Sequence, residues 1–233
     1  MSGLSHPRTA PFPVPHLTIG TLGHSGHGKT TLAVALAARG PGAAPRRPGS
    51  EAAAVRPDGY PPARRQRFRC FRYATDTRHY TVLDPAPRVV SGTVPRRGAG
   101  ASVRGRADAS GVRTGLDGAL LVVSVREGVR PGTAEQLALA RRGGLVHLVV
   151  ALTMAEAGSD EVSERVEHQV RALLAAHGFA GGNLPAVRVS ARRALEGDPR
   201  WTGSIEALLD AVDTYVPLPE RAPRPRHPGT GVR

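Results

Sequence analysis

HLTIGTLGHSGHGKTTLAVALAAR, residues 16–39, is the stretch from which the fold follows. It opens with His16 to Leu22, mostly apolar, which reads as a short buried strand. It turns through Gly23, Gly26 and Gly28 and runs into Thr30 to Arg39, an Ala- and Leu-rich segment that reads as a helix ended by Gly40. Strand, glycine loop, helix is the context that the pattern Gly-x4-Gly-Lys-Thr requires. Gly23, His24, Ser25, Gly26, His27, Gly28, Lys29 and Thr30 fill that pattern, and Thr31 follows. Backbone N–H groups of such a loop curl round a phosphate, while the helix offers its positive end to the same anion. Lys29 is placed to bridge the β- and γ-phosphates of a nucleoside triphosphate, and the Thr30 hydroxyl to ligate Mg2+. Lys29 is also the only lysine of the chain, every other cationic Lys/Arg position being arginine. A compact ammonium on a flexible stem does there what a planar fork cannot.

Outward from the loop, strands alternate with helices. Phe68 to Ala74 and His79 to Asp84 read as two strands joined by a polar turn, a hairpin. Gly118 to Val125 and Leu145 to Leu152 are apolar strands, separated by a helix over Thr133 to Arg142 that stops at Gly143 and Gly144. Ser159 to His177 is a helix with Val162, Val166, Val170, Leu173 and Leu174 on one face, closed by Gly178. A strand over Ala186 to Val189 leads to Ser190, and a last helix over Ser204 to Val216 follows, with Trp201 as its anchor. This order predicts an α/β fold with a mostly parallel sheet covered on both faces.

The 233 residues suit one domain. The expected division is an extended tail over 1–15, a nucleotide-binding domain over 16–221 with Arg-rich inserts at 40–67 and 88–115, and a basic tail over 222–233. One cysteine, Cys70, and no leader-like or membrane-spanning run point to a cytoplasmic protein. The formal charge of +13 concentrates in three Gly-, Pro- and Arg-rich segments, Gly40–Arg72, Arg96–Arg113 and Arg221–Arg233. That charge suits attraction to the phosphates of ribosomal or transfer RNA. No aromatic interleaving or RNA-binding motif accompanies it, which favours the plainer reading of Arg-rich polar segments.

Taken together, LTIGTLGHSGHGKTTL (17–32), DTRHYTVLD (76–84), LDGALLVVSVREGVRPGTAEQLALARRGGLVHLVVAL (116–152) and ALEGDPRWTGSIEALLDAVDTYVPLPER (194–221) resemble the GTP-binding domain of elongation factor Tu, the translational GTPase. The resemblance implies a six-stranded P-loop sheet, GTP or GDP as ligand with Mg2+, and GTP hydrolysis in translation elongation. It makes Asp84 the magnesium aspartate, acting through water. It places a histidine at both His24 and His27, so these read as loop packing rather than as a metal pair. Ser190, Ala191 and Arg192 fall on the second base loop, where the Ala191 N–H would face the guanine oxygen.

Four departures qualify the implied activity. After Asp84 the family carries Cys-Pro-Gly-His, whose Gly N–H senses the γ-phosphate and whose His positions the attacking water. Here Pro85, Ala86, Pro87 and Arg88 follow; proline has no N–H, so hydrolysis should be slow or absent. The Arg-Gly-Ile-Thr of the first switch has no counterpart between Gly40 and Phe68. The guanine-reading Asn-Lys-x-Asp becomes Thr153, Met154, Ala155 and Glu156. Glu156 either accepts two hydrogen bonds from guanine or is a helix-capping surface acid. Lastly, the family's two tRNA-binding β-barrels have no match, so tRNA delivery in the family's mode is not expected. Two alternatives stand beside a GTPase: a degenerate, non-hydrolysing relative acting through RNA or protein contacts, and an ATP-using P-loop protein.

Overall fold

Two strands without a polar face fix the centre of the molecule. β4 (Gly118–Ser124) and β5 (Leu148–Thr153) are buried at every residue, as strands covered on both sides must be. They pair in parallel from Ala119 opposite Leu148 to Ser124 opposite Thr153. β1 (His16–Leu22) lies parallel to β4 on one side and to β3 (His79–Asp84) on the other. β2 (Arg69–Ala74) is the antiparallel hairpin partner of β3, and β6 (Ala186–Arg188) closes the far edge in parallel with β5. The order is β2-β3-β1-β4-β5-β6, six strands with one antiparallel pair, the expected mostly parallel α/β sheet. The computed structural model describes residues 14–39, 69–84 and 115–218. The Arg-rich inserts (save Gly115), most of the N-terminal tail, Pro85 to Arg88 and the basic C-terminal tail lie outside the described residues.

The helices follow from their apolar spacing and their caps. α1 (Lys29–Ala37) buries Leu32, Ala33, Ala35 and Leu36. α3 (Asp160–Ala176) buries Val166, Val170 and Leu174, with Val162 and Leu173 packed at the margin. Its N-terminus is held by Ser159, whose hydroxyl accepts the Val162 N–H at 3.3 Å, and Asp160 and Glu161 complement the dipole in the first turn. α2 (Pro131–Arg142) and α5 (Pro199–Tyr215) both begin on a proline in the first turn, where the missing N–H is no loss. The apolar pattern starts α5 five residues too late, because Asp198 and Pro199 are a cap signal rather than a periodic one. Asp198 accepts the N–H groups of Arg200 and Trp201, and Trp201 is buried as the helix's anchor. Pro131 likewise extends α2 upstream of Thr133. A five-residue helix, α4 (Ala191–Leu195), lies between β6 and α5 and is too short to show a period. Leu145 is buried ahead of β5 without joining the ladder, which is why an apolar run over-extends that strand.

At the opposite end of the sheet from the loop, Tyr73 and Tyr80 stack at 4.6 Å between ring centroids, and the Tyr80 hydroxyl donates to Asp213 of α5. Burial and that carboxylate push the Tyr80 hydroxyl's pKa up, so it stays protonated. The hairpin is thereby tied to the last helix, which fixes β3 and with it Asp84.

Candidate functional site

The carboxyl ends of β1, β3, β5 and β6 gather the residues singled out by the sequence, where ligands of open α/β sheets bind. β1 delivers the chain to Gly23, which has φ 129 and lies against β4: a Cβ there would stand 2.1 Å from the Val122 carbonyl oxygen. No other residue fits. The loop turns through exposed Ser25 and Gly26 and ends on Gly28, the left-handed N-cap of α1 with φ 83. Thr31 is exposed on the first turn of α1. Half-buried Lys29 folds back across the loop, its Nζ donating to the Gly23 carbonyl at 2.8 Å and the His24 carbonyl at 2.6 Å. Burial lowers its pKa and the Asp84 carboxylate opposes that shift; an arriving anion would favour the ammonium further.

Asp84, at the end of β3, is buried and accepts two hydroxyls: Thr21 of β1 at 2.7 Å and Thr30 of α1 at 2.5 Å. The hydroxyl and carboxylate named from the sequence as magnesium groups therefore share one corner beside Lys29. Thr21, which the sequence reading missed, holds the inner oxygen so that the outer one faces Thr30. Alternation along β1 sends Thr21 inward, but nothing in its position announces Asp84 as its partner.

His24 and His27 stand edge to face with ring centroids 5.4 Å apart. No group of three or more His, Cys, Asp or Glu among the described residues is arranged to hold a metal. His27 is fully buried and neither ring nitrogen makes a hydrogen bond; the Val122 carbonyl approaches it without reaching bonding geometry. Glu127 Oε2 lies 3.8 Å from Nε2. Desolvation lowers the His27 pKa and outweighs the pull of Glu127, with His24 and Lys29 adding to the lowering. The neutral ring is thus the stable form at neutral pH.

The base-side loops follow β5 and β6. Thr153 donates its buried hydroxyl to the His27 carbonyl at 2.7 Å and approaches the Val123 carbonyl at 3.3 Å. It ties this loop to the phosphate loop, a role that its spacing does not disclose. Met154 has φ 56, the one non-glycine positive φ among the described residues, and its sulfur accepts the Ser124 hydroxyl at 3.3 Å. A Cβ on Gly28 would stand 3.9 Å from the Met154 methyl carbon, so the thioether lies beside the end of the phosphate loop. Glu156 is exposed in the first turn of a 3-10 helix, Ala155–Ala157. Ser190 caps α4 by accepting the Arg193 N–H at 3.3 Å, Ala191 is buried, and exposed Arg192 pairs with Glu196 at 3.0 Å. The Ala155 N–H donates to the Val189 carbonyl at 3.3 Å, joining the two loops. Glu156 also borders a groove of about 460 Å³ with Arg188, Arg193, Arg200 and Trp201. That groove opens beside the base loops rather than over the phosphate loop, and within its lining Arg188 pairs with Asp160 at 3.1 Å.

Comparison with known proteins agrees with this geometry. Residues 108–218 match the family described as the elongation factor Tu GTP binding domain. Elongation factor Tu 2 of Streptomyces avermitilis is 46% identical over 221 residues, an overlap that covers 89% of this chain and 50% of that protein. The chain thus spans about half the length of the curated relative it matches. No helix among the described residues is long and apolar enough to cross a membrane. With strand order, loop and sequence in agreement, the chain belongs to the elongation factor Tu GTP-binding domain family.

Proposed function

We propose that the chain binds GTP and GDP with Mg2+ at the carboxyl edge of the sheet and hydrolyses GTP slowly or not at all, as a cytoplasmic protein of translation elongation. The observation that carries this reading is the convergence at one corner of Lys29, seated on two loop carbonyls, with the Thr30–Asp84 pair. A hydroxyl and a carboxylate are hard oxygen donors of the kind Mg2+ takes, beside a cradle whose bound phosphate, with water, would supply the remaining ligands. Thr30 and Asp84 would hold the ion, which would neutralise charge between the β- and γ-phosphates. The base would rest against Met154, with Glu156 and the Ser190–Arg192 loop at its edge.

Slow turnover rests on the sequence after Asp84, where Pro87 supplies no N–H and Arg88 stands in place of the water-orienting histidine. An exposed Glu156 and an uncharged Met154 support weak base selection, which keeps ATP as a second ligand. The Arg-rich segments would add salt-dependent attraction to RNA such as the ribosome's.

Titration of the chain with fluorescent GDP, GTP and ATP in Mg2+, beside phosphate-release assays, tests the reading. Guanine nucleotides bound in preference, with little phosphate released, is the expected result. Rapid GTP turnover would refute the impaired switch, preference for ATP would replace the guanine reading, and no binding of any of the three would end it.

A further inference from the structure

The seat of the phosphate lysine includes a helix that the loop motif leaves out. Gly132 and Gln136 stand one turn apart on the same face of α2, and that face meets the first two residues of the loop. Gln136 Oε1 accepts the Gly23 N–H at 2.7 Å. Gly132 lies against the His24 ring, so closely that a Cβ at 132 would be 2.9 Å from Nδ1. The carbonyls of these same two loop residues, Gly23 and His24, receive the Lys29 ammonium. Gly23 has no side chain to hold it in its left-handed conformation, and it is buried. Its N–H therefore depends on the glutamine, and loss of that acceptor would leave a buried donor unsatisfied.

We propose that Gln136 is a positioning residue for Lys29: by fixing Gly23 it fixes a carbonyl that aims the ammonium, and so sets polyphosphate affinity without touching phosphate. This rests on the nucleotide-binding reading above, but its first test does not. Because Lys29 is the only lysine of the chain, labelling with [13C,15N]lysine gives one ammonium signal to follow in the nucleotide-free protein. Gln136→Met keeps side-chain length and removes the acceptor. The expected result is a Lys29 signal shifted towards that of a free lysine, and a GDP dissociation constant raised roughly three- to tenfold, the loss of one hydrogen bond. GMP affinity should stay within about twofold, because the ammonium serves the outer phosphate.

An unmoved Lys29 signal, an unchanged GDP affinity, or an equal loss for GMP, as general loosening would give, each overturns the proposal. Should Gln136→Met fail to fold, Gly132→Ala decides in its place by displacing His24, with a smaller shift of the same signal expected. If the wild-type chain binds no GDP, the nucleotide reading falls, and the Lys29 signal alone still shows whether Gln136 seats the ammonium.

Discussion

The phosphate side and the base side of this site are built differently, and they have fared differently. On the phosphate side recognition comes from a contiguous loop, whose main-chain turns are set by glycine and whose one charged side chain reaches its seat within six residues, Gly23 to Lys29. On the base side it would come from the two loops that follow β5 and β6, brought together by the sheet, each contributing a side chain or two. The phosphate loop keeps every position of the Gly-x4-Gly-Lys-Thr pattern, although Gly26 stands where the family carries Asp. The base side has Thr153, Met154 and Glu156 where the family carries Asn, Lys and Asp. Even so, the two halves are tied to each other, since the Thr153 hydroxyl donates to the His27 carbonyl at 2.7 Å. Coupling of the two loops needs only a donor at that point, whereas base reading needs a particular donor and acceptor pattern.

The sharpest way to break this contrast is Lys29→Ala. Loss of a charge-assisted contact to phosphate should weaken GDP binding about a hundredfold, near 3 kcal/mol; fluorescent-GDP titration giving less than a threefold change would mean the ammonium does not serve phosphate. Asp84→Asn keeps the shape of the hydroxyl corner and removes its charge. It should lower GDP affinity in Mg2+ by about tenfold and abolish the difference between Mg2+ and EDTA, which competitive titration reads directly. An undiminished Mg2+ effect would place the ion elsewhere.

Thr153→Val tests the tie. Removing a buried hydroxyl and leaving the His27 carbonyl without it should lower unfolding free energy by about 1–2 kcal/mol in a denaturant melt and weaken GDP several-fold; a change confined to base preference would contradict the structural role. Glu156→Asp, shortening the carboxylate by one methylene, should raise the GTP over ATP preference by a few-fold in competition. An equal preference in Glu156→Ala and the parent would show that Glu156 now does nothing for the base.

The smallest effect belongs to His27. Its folded pKa lies below the ordinary 6.5, chiefly through burial, so the folded state holds fewer protons than the unfolded state just below that value. The stability due to the neutral ring is complete above about pH 6.5 and falls away as the pH drops through the folded pKa. Thermal melts of His27→Gln should therefore be flatter than those of the parent between pH 7 and pH 5. Parallel curves would remove His27 from the acid sensitivity of the loop.

Much of this was legible in the residues. The loop, its helix, the hairpin and the two apolar strands are local patterns, and Asp84 is the last residue of an alternating strand. What escaped is of two kinds. Cap-driven starts, at Pro131 and Asp198, carry no hydrophobic period, so α2 and α5 began too late. Contacts distant in sequence were the other kind: Thr21 with Asp84, Gln136 with Gly23, and Thr153 with His27 are separated by 63, 113 and 126 residues.

The sequence by itself determined that a phosphate loop exists, that it lies between a strand and a helix, and that its ammonium is unique in the chain, because glycine conformation and nearest-neighbour geometry are local physics. Only the tertiary structure decided that Asp84 is held by two hydroxyls, that Met154 turns left-handed beside the loop, and that an amide on α2 pins its first glycine. A parallel sheet brings the carboxyl ends of distant strands to one edge, and side chains that meet there leave no spacing by which to recognise one another.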